Sequence, residues 1–154
     1  MIPGLTITEH FCLNEKQGSF FTVWKAALKR AKECIAQFNI KGRPAIDAAA
    51  LSGGNQQRLL LSLLPLNPTV LLLENPTRGL DLGSAHWVWR HLQGHAARGT
   101  AIVFSSSELD EILMVADRTI VFYNGTVVTD IPAHKADADT LGRAVAGGER
   151  PNDF

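Results

Sequence analysis

Leu51-Ser52-Gly53-Gly54-Asn55-Gln56-Gln57, followed by Arg58 and a leucine-rich run, is the stretch on which the reading of this chain turns. It reads as the start of a helix. Ser52 is placed to cap the first turn with its hydroxyl. Gly53 and Gly54 leave the backbone N–H groups bare, so that a ligand can approach closely. The first N–H groups of a helix have no partner inside it, and the macrodipole puts partial positive charge there. An anion, most often a phosphate, suits such a place. The competing reading is a Gly-Gly turn before an ordinary helix, and for an isolated Ser-Gly-Gly that reading would be preferred.

The text that follows changes the balance. Val70-Leu-Leu-Leu-Glu74-Asn75-Pro76-Thr77-Arg78-Gly79-Leu80-Asp81 is an apolar run that ends in a carboxylate, a proline turn and Gly-Leu-Asp. The two stretches in this order resemble the ATP-binding cassettes of ABC transporters. The first is similar to that family's signature motif, the second to its Walker B strand and D-loop. The Asn-Gln-Gln form of the signature, with Pro-Thr-Arg-Gly-Leu-Asp after it, resembles the second cassette of duplicated ATPases that drive sugar and nucleoside importers. The resemblance runs from about Gly4 to Gly148.

Its implications are specific. ATP in this family is held between the phosphate loop of one cassette and the signature of the opposite one. Leu51, Ser52, Gly53, Gly54, Asn55 and Gln56 are then the signature that closes a partner's ATP site, and Gly79, Leu80 and Asp81 are the D-loop at the interface. Glu74 falls where the family places its magnesium-orienting aspartate. It is one methylene longer, which matters because magnesium demands near-ideal octahedral ligation. Asn75 falls where the catalytic glutamate would be and, being neutral, is no general base. Ser107 falls at the switch histidine. The Ser106-to-Leu109 string is itself similar to sugar-importer second cassettes. ATP and Mg2+ are the implied cofactors of the complete cassette. The implied partners are an opposing cassette, a transmembrane permease and, indirectly, a periplasmic solute-binding protein. The implied location is the cytoplasmic face of the cell membrane, reached through the permease.

No Gly-x-x-x-x-Gly-Lys-Ser/Thr occurs in the chain. That loop supplies the backbone cradle and the lysine for the phosphates. The expectation is therefore the C-terminal part of a cassette with α/β architecture. A helical subdomain would span about 5–50. The signature helix, the later parallel strands and a C-terminal hairpin would span 51–148, and 149–154 would be a tail. The isolated chain is expected to hydrolyse no ATP. Two other readings compete: an autonomous ATPase, against which the missing loop, Asn75 and Ser107 count, and a degenerate cassette with a structural or interaction role, or one of the superfamily's nucleic-acid branch.

Composition narrows the choice. The chain has 154 residues, 45% of them hydrophobic, which suits one domain with a real core. Fifteen basic and fifteen acidic residues cancel, so no basic field favours nucleic acid. Cys12 and Cys34 read as buried free thiols. No apolar run reaches the ~18 residues of a membrane-spanning helix.

Local signals complete the reading. Thr6 and Glu9 have capping-box spacing, for a short helix through Leu13. Asn14 to Ser19 reads as a loop. Trp24, Leu28, Ala31, Ile35 and Phe38 make the core stripe of a helix over about 21–38, ended by Lys41-Gly-Arg-Pro44. The signature helix is expected over about 53–64, with Leu59, Leu60 and Leu63 inward and Pro65 awkward near its end. Val70–Leu73 and Thr100–Phe104 read as strands of a kind buried on both faces in a complete cassette, with uncovered edges or faces expected here because strands of the N-terminal part are missing. Between them a helix over 83–97 carries Ala85, Trp89, Leu92 and Ala96 on one face, and His86, His91 and His95 read as its solvated side. Ser107 is expected to cap the next helix, through about Ala116. Asn124-Gly125 marks a hairpin between Thr119–Tyr123 and Thr126–Thr129, and a last helix covers about 139–146.

Overall fold

The computed structural model describes residues 1–14 and 20–147, with side chains from Val23 in the second helix. The expected loop at 14–19 lies outside these residues beyond Asn14, as does the tail at 149–154. The helices are α1 (Ile7–Asn14), α2 (Phe20–Gln37), α3 (Gly53–Ser62), α4 (Leu82–Ala96), α5 (Leu109–Val115) and α6 (Ala138–Val145). The strands are β1 (Val70–Glu74), β2 (Ala101–Ser105), β3 (Arg118–Tyr123) and β4 (Thr126–Pro132). The order is α/β. β1 pairs with β2, and β3 with β4. Two compact units result, Met1–Val103 and Phe104–Phe154.

In the first unit, α1 begins in the expected capping box. Thr6 N donates to Glu9 Oε2 at 2.6 Å, and Glu9 N donates to Thr6 Oγ1 at 3.3 Å. The Thr6 hydroxyl, donating to Glu9 Oε2 at 2.7 Å, and then the Thr6 N–H hold the Glu9 carboxyl below the usual carboxylate range. Helix α2 ends within a residue of the expected place. Asn39 takes a left-handed φ of 50°, and Ile40 N bonds to Ile35 O, so the chain turns before Lys41. Its core residues are Ala27, Ala31 and Phe38. Trp24, expected in the core, is on the exposed side, since the buried face centres on the two alanines where helices pack closely. Both cysteines are half-buried rather than buried.

Helix α3 ends at Ser62, clear of Pro65. Leu63 N and Leu64 N bond three residues back, to Leu60 O and Leu61 O, and Asn14 Nδ2 caps Leu63 O at 2.8 Å. The tightened last turn removes the conflict with proline. It also buries Leu59 and Leu61 and leaves Leu60 exposed. Strands β1 and β2 are not buried on both faces. Leu71 is inward, whereas Val70, Leu72 and Val103 are exposed, Leu72 at 76%. An uninterrupted apolar run looks the same whether one face or two are covered.

Helix α4 corrects the solvated-histidine expectation. Val88, Trp89, Leu92 and His95 form its buried face, and Ala96 is exposed. His91 is half-buried. Of the three histidines only His86 is exposed.

In the second unit, β3 and β4 form an antiparallel hairpin. Asn124 and Gly125 have φ of 47° and 77°, the two positive values a type I′ turn requires. Arg118 grips Asp130 with two hydrogen bonds of 2.6 Å across the pair. Val121, Leu141 and Ala144 are the core, with Leu109, Ile112, Leu113, Val128 and Ala136 packed on it. Helix α6 is capped by Asp137, which accepts from Thr140 N at 2.7 Å. The cap of α5 differs from expectation. Glu108 is the N-cap residue, and Ser106 Oγ, not Ser107, accepts from Glu108 N at 3.0 Å.

Candidate functional site

The signature stretch is held by its own polar side chains. Ser52 is the N-cap residue of α3, with extended backbone, yet its hydroxyl makes no cap bond. It accepts instead from Asn55 Nδ2 at 2.8 Å. The first-turn N–H groups, at the positive end of the helix, are thus left without the expected serine cap. Asn55 Oδ1 accepts from Lys41 N at 2.8 Å, which pins the turn after α2 to the start of α3. Gln56 Nε2 donates to Leu51 O at 2.9 Å and Ala49 O at 3.3 Å, bracing the short 3-10 turn Ala48–Ala50. Leu51 is buried and anchors the loop. Asn55 and Gln56 therefore serve first as the loop's scaffold.

The structure brings the Gly79-Leu80-Asp81 stretch against this loop. A Cβ at Gly53 would lie 3.7 Å from Leu80 Cδ2, and one at Gly54 would lie 2.5 Å from Ser84 Oγ. Asp81 is the N-cap of α4. It accepts from Ser84 N at 3.0 Å and from Ser84 Oγ at 2.7 Å, and these bonds hold its carboxyl below the usual carboxylate range. Gly79, at φ 73°, makes the preceding turn. Ser84 carried no signal in the sequence; only its position three residues after a capping aspartate could have marked it.

Glu74 is exposed at the end of β1. Asn75 follows with φ 44°, a left-handed conformation that asparagine tolerates better than most side chains, and Arg78 N closes the turn onto Asn75 O at 3.2 Å. Among the described residues no group of three or more His, Cys, Asp or Glu could hold a metal ion. A lone carboxylate at Glu74 fits magnesium only in its usual nucleotide-bound mode, where phosphate oxygens and waters complete the shell. Ser107 is exposed in the second unit, its hydroxyl 3.5 Å from Glu108 Oε1.

A second cluster was not foreseen. The Arg58 guanidinium lies over the Trp87 ring, which stacks on His91 at 5.3 Å; His91 meets His95 edge-on at 5.2 Å. Phe38 packs against both Trp87 and His91. The signal available in the sequence was the four-residue spacing of Trp87, His91 and His95 on one helix.

By fold and by sequence the chain falls in the ATP-binding-cassette family of ABC transporters. Its fold matches a solved ATP-binding subunit of an ABC transporter with a TM-score of 0.71 at 19% identity, over 95% of this chain and 64% of that one. A dimeric ATP-binding cassette in a post-hydrolysis state, bound to ADP and Pi, matches with a TM-score of 0.66 at 26% identity, over 86% and 58%. Within that class the relatives are sugar-import ATP-binding proteins. The ribose import ATP-binding protein of Geobacillus kaustophilus is 40% identical over 118 residues, 75% of this chain and 24% of that protein. That of Chromobacterium violaceum is 37% identical over 153 residues, 96% and 30%. The xylose import ATP-binding protein of Geobacillus kaustophilus is 34% identical over 125 residues, 79% and 25%. The chain thus spans about a quarter of the length of these relatives. No family model matches it. No helix among the described residues is long and apolar enough to cross a membrane.

Proposed function

We propose that this chain supplies the signature side of a composite ATP site in an ABC importer for a sugar of the ribose or xylose class. The observation that carries the reading is the uncapped first turn of α3, with Ser52 turned aside to Asn55 and two glycines at its mouth. Its ATP, with Mg2+, is held by a phosphate loop on an opposing cassette. Ser52 and the Gly53 and Gly54 N–H groups then receive the γ-phosphate. Asp81 and its neighbours face the same partner. Residues 5–50 and 51–148 act as parts of one cassette domain docked on a permease at the cytoplasmic face of the membrane, with a periplasmic solute-binding protein choosing the cargo. Glu74 and Asn75 belong to the cassette's own site. That site lacks a base, because an amide does not accept a proton from water.

The test is nucleotide retention by the full chain, alone and mixed with a cassette that carries an intact phosphate loop. Mg-ATP is expected to be retained only in the mixture, and Gly54→Asp, which adds a side chain and a negative charge, should abolish it. Micromolar ATP binding by the chain alone would overturn the reading.

A further inference from the structure

We propose that Ser84 is a positioning residue that locks the first turn of the signature helix through direct contact with Gly54. The proposal rests on the reading above only for its consequence, not for its geometry. Ser84 is in the first turn of α4, thirty residues beyond Gly54. Its Oγ donates to Asp81 Oδ2 at 2.7 Å while its N–H donates to Asp81 Oδ1 at 3.0 Å. This pair of bonds fixes the hydroxyl in one rotamer. The hydroxyl then points at the space a side chain on residue 54 would need. A Cβ there would lie 2.5 Å from Ser84 Oγ, 3.2 Å from Ser84 Cβ and 4.0 Å from Asp81 Oδ2.

Neither Gly53 nor Gly54 has a positive φ, so backbone conformation does not call for glycine at either place. Gly53 would accommodate a Cβ in ordinary contact with Leu80. Only Gly54 is obliged by a neighbour, and that neighbour is Ser84. Any larger residue at 54 must push the hydroxyl out of its rotamer, break the Ser84–Asp81 bond and loosen the cap of α4. The signature turn and the Gly79-Leu80-Asp81 turn are therefore one mechanical piece, joined at this contact. A phosphate gripped by the first turn of α3 is felt at Asp81, and a partner pressing on Asp81 alters the reach of the Gly54 N–H.

The test is a double-mutant cycle on the full chain, read by denaturant midpoint, with Gly54→Ala, Ser84→Ala and the pair. Gly54→Ala should lower the midpoint, and Ser84→Ala should recover at least half of that loss when combined with it, because only the 3.2 Å contact then remains. Gly53→Ala combined with Ser84→Ala should be additive. If Gly54→Ala alone does not fold, a folded pair supports the lock and an unfolded pair overturns it. Additivity of Gly54→Ala with Ser84→Ala also overturns it. A second readout is nucleotide retention with the phosphate-loop partner: Gly54→Ala should weaken it and the added Ser84→Ala should restore it. Coupling in the midpoint with no effect on retention would uphold the contact and count against the composite-site reading.

Discussion

The Arg58 guanidinium carbon lies 4.1 Å from the centroid of the Trp87 ring, and the same side chain donates from Nη1 to Phe38 O at 3.0 Å. One residue of α3 thus ties the end of α2 to the half-buried Trp87 of α4. The planar cation does two things at once: it stacks on the ring and caps a carbonyl at the end of α2. Lysine presents a point charge and cannot do both.

Arg58→Lys should therefore destabilise the chain, by on the order of 1–3 kcal/mol from the cation–π contact and the charged hydrogen bond together. Arg58→Leu should cost a similar amount, with the Phe38 carbonyl left bare. Urea unfolding gives the value. An unchanged midpoint for Arg58→Lys would show that the stack carries no energy.

His91 and His95 should make stability fall in mild acid. Burial pushes both imidazoles below their ordinary value; the neighbouring His95 and Arg98 add to this for His91, and Arg98 for His95. Nε2 of His91 and Nδ1 of His95 are buried without a hydrogen-bond partner among the described residues. A depressed folded value means the unfolded chain binds protons that the folded chain refuses. The stability is full above the unfolded value of about 6.5 and is lost progressively as the pH falls below it. Melting temperature measured from roughly pH 8 to 5 should drop over that window. His91→Leu with His95→Leu should flatten the drop; an equal slope in that variant would refute the assignment.

Thr129→Val should stabilise the hairpin unit. Thr129 is buried, and its Oγ1 has no partner among the described residues. Valine keeps the shape, suits a strand and removes a desolvated hydroxyl, for a gain of about 1 kcal/mol. Thr119→Val should act in the same direction. Thermal melting is the check, and a loss of stability in both variants would mean that the hydroxyls are satisfied.

Asn75→Glu should lower stability by about 1 kcal/mol, because a longer side chain tolerates the left-handed backbone less well than asparagine. Asn75→Gly should be tolerated, as glycine adopts φ 44° freely. Restoring a carboxylate at 75 should not by itself produce phosphate release, since no Gly-x-x-x-x-Gly-Lys-Ser/Thr loop is present in the chain to hold the phosphates. Strong ATP turnover in Asn75→Glu would contradict the view that this cassette's own site is degenerate.

Much of the fold was legible in short-range text. The Thr6–Glu9 box, the Asn124-Gly125 turn and the helix start at Gly53 rest on bonds within a few residues, so spacing alone reports them. Reading failed where exposure was inferred from polarity. His95 looked solvated and is 4% exposed, whereas the exposure of Leu72 and Val103 agrees with strands whose faces are uncovered when a cassette's earlier strands are missing. Ser52 and Ser107 have the propensity of side-chain caps, but Ser52 Oγ accepts from Asn55 Nδ2 and makes no cap bond, and at α5 it is Ser106 Oγ that accepts from Glu108 N.

The sequence by itself determined that a helix starts just after Leu51 and Ser52 and that an apolar strand ends at Glu74, because turn chemistry and periodicity are properties of neighbouring residues. The tertiary structure alone decided that Ser84 fills the space a side chain at residue 54 would need, that Arg58 lies on Trp87, and that His91 and His95 turn inward. Those pairs lie as far as thirty residues apart or depend on which face of a helix is covered. Local pattern carries no record of either: the packing of α2, α3 and α4 selects the covered face, and the Asp81 cap sets the angle from which Ser84 reaches the signature turn.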